Sequence, residues 1–334
     1  MSRPIALVKP GDTLSDRFVL VEEIGRGGMS TVFRAEDLKN GRQPVVVKIP
    51  LPMFASGVGA WSIFQQEAEI GGQLDHPAVL KFIPLEAGER RGFIVTEHVP
   101  GETLADRLLR GPPLRESEAL RIAAQVCAAV EHVHGRGFVH YDLKPGNVML
   151  CPDGAIRLID FGMAHVALTD RFRLGGPSPA IGSSAYVAPE QIRRKRGRKS
   201  VDVYSLGAIL YEMLTGRHPF PGDDPFVIAS ARTLGDPSAP RAIDPGISRQ
   251  AEEITLRALR RDPAARYPSA AALRKDLEQV DQVTVSGLSE SLQPVTRTRR
   301  VLRLTRYVTL VGVLPIAVQV VLFFLLWRHL AVRR

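Results

Sequence analysis

The chain has 334 residues, 45% of them hydrophobic and 24% charged, which excludes wholesale disorder, a collagen-like fibre and a small disulfide scaffold. The length fits one large or two moderate domains, and Cys127 and Cys151 are too few for a disulfide framework and point to a reducing compartment. Residues 291–334 hold eight arginines and no other formal charge, so removing +8 from the net +9 leaves +1 for residues 1–290. The basicity belongs to a tail, and no nucleic-acid partner is expected.

In chain order, no secretory signal pattern opens the sequence. Residues 18–51 read as three strands. Phe18 to Glu23 alternates before a glycine cluster, Thr31 to Ala35 follows, and Asn40-Gly41 signals a hairpin turn before Val45 to Ile49. Helical periodicity runs from Trp61 to Leu74, and Val79 to Leu85 and Phe93 to Glu97 complete a small sheet.

From Pro112 the pattern becomes helical. Ala119, Ala123, Val126, Cys127, Val130 and Val133 mark one face of a long helix. Pro152-Asp153-Gly154 joins two short strands, and helices follow near 200–215, 225–234, 248–260 and 269–280. A β-rich lobe followed by a helical lobe is an α+β, bilobal body with a cleft between. The run Arg193 to Lys199 reads as a solvated loop, with an acidic partner or phospholipid as the sharper alternative.

Residues 281–300 read as a polar linker. Val308 to Trp327 is a run of 20 residues without formal charge, about 30 Å long as a helix and apolar all round, so it reads as a membrane span. Five arginines precede it and three follow, which puts the N-terminal side in the cytoplasm. The expected divisions are an extension at 1–15, a catalytic domain at 16–280, a juxtamembrane linker at 281–307, the span at 308–327 and a basic tail at 328–334.

Gly25-Arg26-Gly27-Gly28-Met29-Ser30 lies between two strands, where glycines let backbone N–H groups approach phosphate oxygens. It is not a dinucleotide fingerprint, because a strand follows instead of a helix. Lys48 ends an apolar strand and could grip phosphates while Glu67, or the competing Glu69, holds its ammonium. In His140-Tyr141-Asp142-Leu143-Lys144-Pro145-Gly146-Asn147, Asp142 could accept a hydroxyl proton and Lys144 could neutralise a phosphoryl group. Asn147 and Asp160, the latter in Asp160-Phe161-Gly162, offer oxygen ligands suited to Mg²⁺. His132 and His134, two apart on a helix, do not share a face as metal ligands would.

This order resembles the protein-kinase family, in particular the bacterial eukaryotic-like (Hanks-type) serine/threonine kinases, from about Asp16 to Val280. The resemblance implies a kinase-like fold with a small β-rich lobe and a larger helical lobe. ATP would be bound by Ile24, Gly25, Arg26, Gly27, Gly28, Val32, Val46, Lys48, Glu67, Thr96, Glu97, Val99 and Met149. It places Val32 and Val46 above the adenine, Met149 below, Thr96 as gatekeeper and Glu97 to Val99 as hinge. Asp142, Lys144 and Asn147 would be catalytic, and Asn147 and Asp160 would hold Mg²⁺ or Mn²⁺. Ala188-Pro189-Glu190 would close the activation segment, with Arg266 pairing Glu190 and Asp202 buried. Thr169, Ser178 and Ser183 are candidate phosphosites.

The implied function is transfer of the ATP γ-phosphoryl group to protein Ser or Thr hydroxyls, including the kinase's own, at the cell (inner) membrane with the kinase domain cytoplasmic. A homodimer is left open. The alternatives are a membrane-tethered pseudokinase scaffold and a small-molecule kinase of related fold. Against the family pattern, Tyr141 replaces an arginine that gathers an activation-loop phosphate, so activity is expected not to depend on that route. Val46 replaces an alanine, which should tighten the adenine roof. Gly71 and Gly72 are expected inside the Glu67 helix at about 1 kcal/mol each, leaving it marginal and the Lys48–Glu67 pair dependent on a partner.

Overall fold

The computed structural model describes residues 8–27, 30–51, 58–86, 92–161, 165–166, 185–193, 198–222 and 224–293. Gly28, the candidate phosphosites Thr169, Ser178 and Ser183, and the 308–327 run lie outside them. No helix among the described residues is long and apolar enough to cross a membrane.

Strands β1 (Thr13–Leu14), β2 (Phe18–Arg26), β3 (Ser30–Asp37), β4 (Gln43–Pro50) and β5 (Ile94–Glu97) form one antiparallel sheet in that order. Period-2 alternation buries Phe18, Leu20, Phe33, Ala35, Val45, Val47 and Val95 on one face. The register sets Val32 opposite Lys48 and Val46 opposite Thr96, which puts all four on the other face. Two register shifts in β2, at Leu20/Glu22 and Glu23/Gly25, curl the strand towards the glycine loop.

Three expectations for this lobe need correction. The turn after β3 is not a two-residue hairpin: a 3-10 turn at Leu38–Asn40 is capped by Asp37, and Gly41 takes φ 63°. Residues 79–85 form no regular strand, only bridges at Val79–Leu158 and Phe82–Thr96, and Pro84 has no N–H to extend the ladder. Helix α1 runs Val58–Gly71 and ends at the glycines instead of enclosing them. A Cβ on Gly71 would stand 2.2 Å from the Phe82 ring, so glycine is there to admit that ring.

The helical lobe begins with β6 (Glu102–Thr103), α2 (Leu104–Arg110) and α3 (Glu116–Gly135). Strand β7 (Phe138–Val139) pairs with β10 (His165–Val166), while β8 (Val148–Leu150) and β9 (Ile156–Leu158) join β6 in a second small sheet. Then come α4 (Pro189–Ile192), α5 (Ser200–Thr215), α6 (Pro225–Leu234), α7 (Pro240–Ile243), α8 (Arg249–Ala258) and α9 (Ala270–Glu278). Ser248 and Ser269 cap α8 and α9 through their side-chain oxygens.

All six residues expected on the inner face of α3 are buried. Helix α5 is apolar nearly all round, as a central core helix should be. It approaches α8 where a Cβ on Gly207 would lie 2.7 Å from that of Ala258. One core includes Ile70 at the end of α1, Leu74 just after it, and Val130, Leu158, Leu206 and Ile254 from the lower lobe, so the lobes share packing beside the cleft. Cys127 is buried in that core, whereas Cys151 is partly exposed.

The segment after α9 is not a free linker as far as Gln293. The Ser286 hydroxyl and the Leu288 N–H (3.3 Å) both donate to the Glu253 carboxylate on α8. Gln293 then exchanges two bonds with Asp236: its N–H reaches Oδ2 at 3.0 Å, and its carbonyl accepts the Asp236 N–H at 3.2 Å. Two carboxylates thus tie the strap to the domain.

Candidate active site

Lys48 sits on the cleft face of β4, and its ammonium donates to both oxygens of Glu67, at 2.8 and 2.7 Å. It also donates to Asp160 Oδ1 at 3.2 Å. Glu67 is buried and Glu69 exposed, so α1 selects between the two candidates by face. The glycines close the helix and do not interrupt it. The expectation of a marginal helix therefore loses its premise.

Burial alone disfavours the Lys48 charge, but Asp160 and Glu67 outweigh it and hold the ammonium above the usual lysine range. Burial pushes the Glu67 carboxyl up to about 7, with Lys48 opposing and Asp160 adding to the rise. A tighter proton on lysine favours the ion pair, while one on glutamate opposes it. The two short bonds side with the pair above neutral pH.

Below the cleft, the turn from β7 to β8 carries Asp142, Lys144 and Asn147. Lys144 Nζ donates to Asp142 Oδ2 at 2.6 Å. Asn147 Nδ2 donates to the Asp142 carbonyl at 2.8 Å and to Oδ2 at 3.3 Å. With its N–H groups turned to Asp142, the Asn147 amide oxygen is the atom left for coordination. The Asn147 carbonyl accepts the Ile159 N–H at 2.9 Å, which fixes the spacing between the loop and Asp160. An amide oxygen and a carboxylate are hard donors that suit Mg²⁺ shared with phosphates. The residues present therefore fit the expected metal.

Backbone strain marks the same turns: Tyr141 and Asp160 take φ 65° and 64°, in the left-handed region. Tyr141 is held there by Asp202, which is fully buried on α5. Asp202 accepts the N–H groups of His140 and Tyr141, both at 2.9 Å, and its Oδ2 lies 2.7 Å from His134 Nε2. His134 thus serves the catalytic turn, while His132 faces His76 with ring centroids 5.2 Å apart, so the two are not co-ligands.

Of the residues expected at the nucleotide, Val32, Val46 and Thr96 share the Lys48 face, and Gly25 lies opposite Val32. Gly27 closes the loop tip, its N–H donating to the Ser30 carbonyl at 2.8 Å. Ile24 is about half exposed, and Arg26 pairs with Glu23 on the surface. Met149 lies on β8 opposite Arg157 of β9. The Glu97 side chain accepts the Lys81 N–H at 2.9 Å and faces Arg157 at 3.8 Å, and its own N–H donates back to the Lys81 carbonyl at 2.9 Å. His98 and Val99 follow it, half-buried.

Two connections were not read from the sequence. Phe161 lies 5.1 Å from His140 and 6.4 Å from Phe82 between ring centroids, and Phe82 fills the space left by Gly71, so a column of rings joins α1 to the catalytic turn. Gln191 accepts the Ala188 N–H at 2.9 Å and donates towards the Tyr141 carbonyl at 3.5 Å, coupling α4 to the same turn. Small and aromatic residues far apart in sequence gave no local sign of either. Arg266, fully buried, grips Glu190 through two bonds of 2.7 Å, the expected pairing.

The description "Protein kinase domain" matches residues 18–277, which include every residue of this arrangement. The chain belongs to the protein kinase family. The serine/threonine-protein kinase PknB of Mycobacterium tuberculosis is 36% identical over 271 residues, covering 80% of this chain and 43% of that protein. The probable serine/threonine-protein kinases SCO3848 of Streptomyces coelicolor and CE0033 of Corynebacterium efficiens are 36% and 34% identical, over 79% and 82% of this chain. The kinase chain spans less than half the length of these relatives, 43%, 40% and 42% respectively. The resemblance read from the sequence is borne out at the level of the protein kinase family.

Proposed function

We propose that this kinase transfers the γ-phosphoryl group of ATP to serine or threonine hydroxyls of proteins, itself included, while anchored to the cell membrane by residues 308–327. The observation that carries the reading is two hydrogen-bonded pairs, Lys48–Asp160 and Asp142–Asn147, tied to each other through the Ile159 N–H on the Asn147 carbonyl.

In this reading Lys48, steadied by Glu67, binds the α- and β-phosphates. Asn147 and Asp160 hold Mg²⁺ or Mn²⁺, which neutralises charge on the β- and γ-phosphates when bound. Asp142 accepts the hydroxyl proton of the attacking Ser or Thr, and Lys144 lies against Asp142 to screen the charge that gathers there. Val32, Val46, Thr96 and Met149 enclose the adenine, and the Glu97 to Val99 backbone meets its edge.

Serine and threonine are favoured over tyrosine by Lys144, two positions after Asp142, and by the names of the relatives. A cytoplasmic kinase domain follows from the arginine bias around 308–327. The test is incubation of the full chain with labelled ATP, Mg²⁺ and a generic protein. Label on Ser or Thr, lost in Asp142→Asn, is expected. A pseudokinase gives none with either chain, and a small-molecule kinase labels no protein.

A further inference from the structure

The strap described above leaves the domain at one particular place. Gln293 is held by Asp236, just beyond the end of α6. Asp236 also binds Arg261 Nε at 3.1 Å, and Arg261 Nη1 reaches the Leu234 carbonyl at 3.3 Å. Arg193 Nη2 donates to the neighbouring Thr233 carbonyl at 2.9 Å. Arg266 stitches this patch to the start of α5, donating to the carbonyls of Ser200 (2.8 Å), Arg260 (2.7 Å) and Arg261 (3.3 Å). Arg198 and Lys199 therefore lie beside the same exit, and both are exposed.

Cations outnumber carboxylates on this face, although Asp262, beside Arg260 and Arg261, is also exposed. Asp236 is already matched by Arg261, and Glu190 is buried against Arg266. Arg193, Arg198, Lys199 and Arg260 make no ion pair among the described residues. Leu234, 36% exposed, adds an apolar side chain to the patch. Beyond Gln293 only 14 residues, 294–307, separate the strap from the uncharged run, and five of them are arginines. Fully extended they reach about 50 Å, and any compaction brings the face closer to the anchor.

We propose that this face is a lipid-contact surface: Arg193, Arg198, Lys199 and Arg260, grouped around the strap exit, rest on anionic phospholipid head groups. The inference builds on the membrane reading of 308–327 and adds an orientation to it. The strap hands the chain to the bilayer from the same side that carries the unmatched cations, so tether and charge act together. Each cation near an anionic leaflet strengthens attachment about fivefold, so removing three weakens it about 100-fold and reversing them weakens it by more.

The test uses the full chain in vesicles of phosphatidylcholine, with or without phosphatidylglycerol. Alkaline carbonate extraction comes first: a chain released from both vesicle types overturns the anchor reading and this inference with it. For a retained chain, hydrogen exchange of residues 198–201 and 259–263 is expected to slow about tenfold or more on the anionic vesicles alone. The protection should vanish in high salt and in the Arg198→Glu, Lys199→Glu, Arg260→Glu variant. That variant's unchanged activity on a soluble peptide in detergent shows that it is folded.

Equal exchange on both vesicle types in a retained chain overturns the lipid surface while leaving the anchor intact. Protection reproduced by soluble glycerophosphoglycerol, or only by added polyglutamate, also overturns it and assigns the face to a free anion or an acidic protein.

Discussion

Gly71 and Phe82 fit together as a socket and a ring: a methyl group on Gly71 would stand 2.2 Å from the Phe82 ring edge. Phe82 in turn lies 6.4 Å from Phe161 between ring centroids, which bounds it on that side. Adding the Gly71 methyl should push α1 away and carry Glu67 from Lys48, although alanine is intrinsically the better helix residue. Gly71→Ala is expected to lower kcat at least about tenfold, as a displacement near 1 Å in a positioning element does. Phe82→Leu in the same chain should restore part of the loss. An active Gly71→Ala enzyme with wild-type kcat would contradict the socket.

Glu67 supplies a pH dependence. Its carboxyl is raised to about 7, chiefly by burial, so it is neutral below that pH and charged above it. The neutral acid no longer balances the Lys48 ammonium. Activity should therefore rise as pH increases through about 7 and fall on acidification. The kcat/KM profile for ATP is expected to lose this acid limb in Glu67→Gln, at a uniformly lower rate. An unchanged limb in that variant would place the titration elsewhere.

Arg266 and Glu190 form a fully enclosed bidentate pair. Removing one partner leaves the other charge buried, which costs about 3–5 kcal/mol. Arg266→Ala should therefore shift the urea midpoint strongly, and Arg266→Lys should recover less than half, because lysine cannot form the planar fork. A double Arg266→Met, Glu190→Gln chain is expected to be more stable than Arg266→Ala alone.

Tyr141 bears on regulation. It occupies the position of a phosphate-gathering arginine and carries no cation, while its backbone still serves the turn through Asp202. Alanine at Thr169 or Ser178 should accordingly leave kcat at the wild-type value. Loss of activity at either site, restored by Glu, would show that another cation gathers the phosphate.

Much of this site was legible in the sequence because its parts are local. The glycine loop, the Asp142 to Asn147 turn and Asp160-Phe161 each declare themselves within a few residues. Helix α3 was readable from the periodicity of its apolar face, and α5 was placed near 200–215. What escaped was set by partners distant in the chain. Gly71 looked like a helix defect because the Phe82 ring that it admits is eleven positions away. Residues 79–85 carried a strand's composition but lacked the N–H at Pro84 to sustain one. The strap at 286–293 looked like a polar linker, since polarity alone does not reveal the buried Glu253 and the Asp236 that receive it.

The central claim is that Lys48, Asp142, Asn147 and Asp160 serve one magnesium-bound nucleotide. Calorimetric titration of the full chain with a non-hydrolysable ATP analogue, with and without Mg²⁺, addresses it directly. The account predicts one saturable site that weakens at least about tenfold when Mg²⁺ is removed or in Asp160→Asn, and that persists in Asp142→Asn. Binding indifferent to both Mg²⁺ and Asp160, or no binding at all, would contradict it.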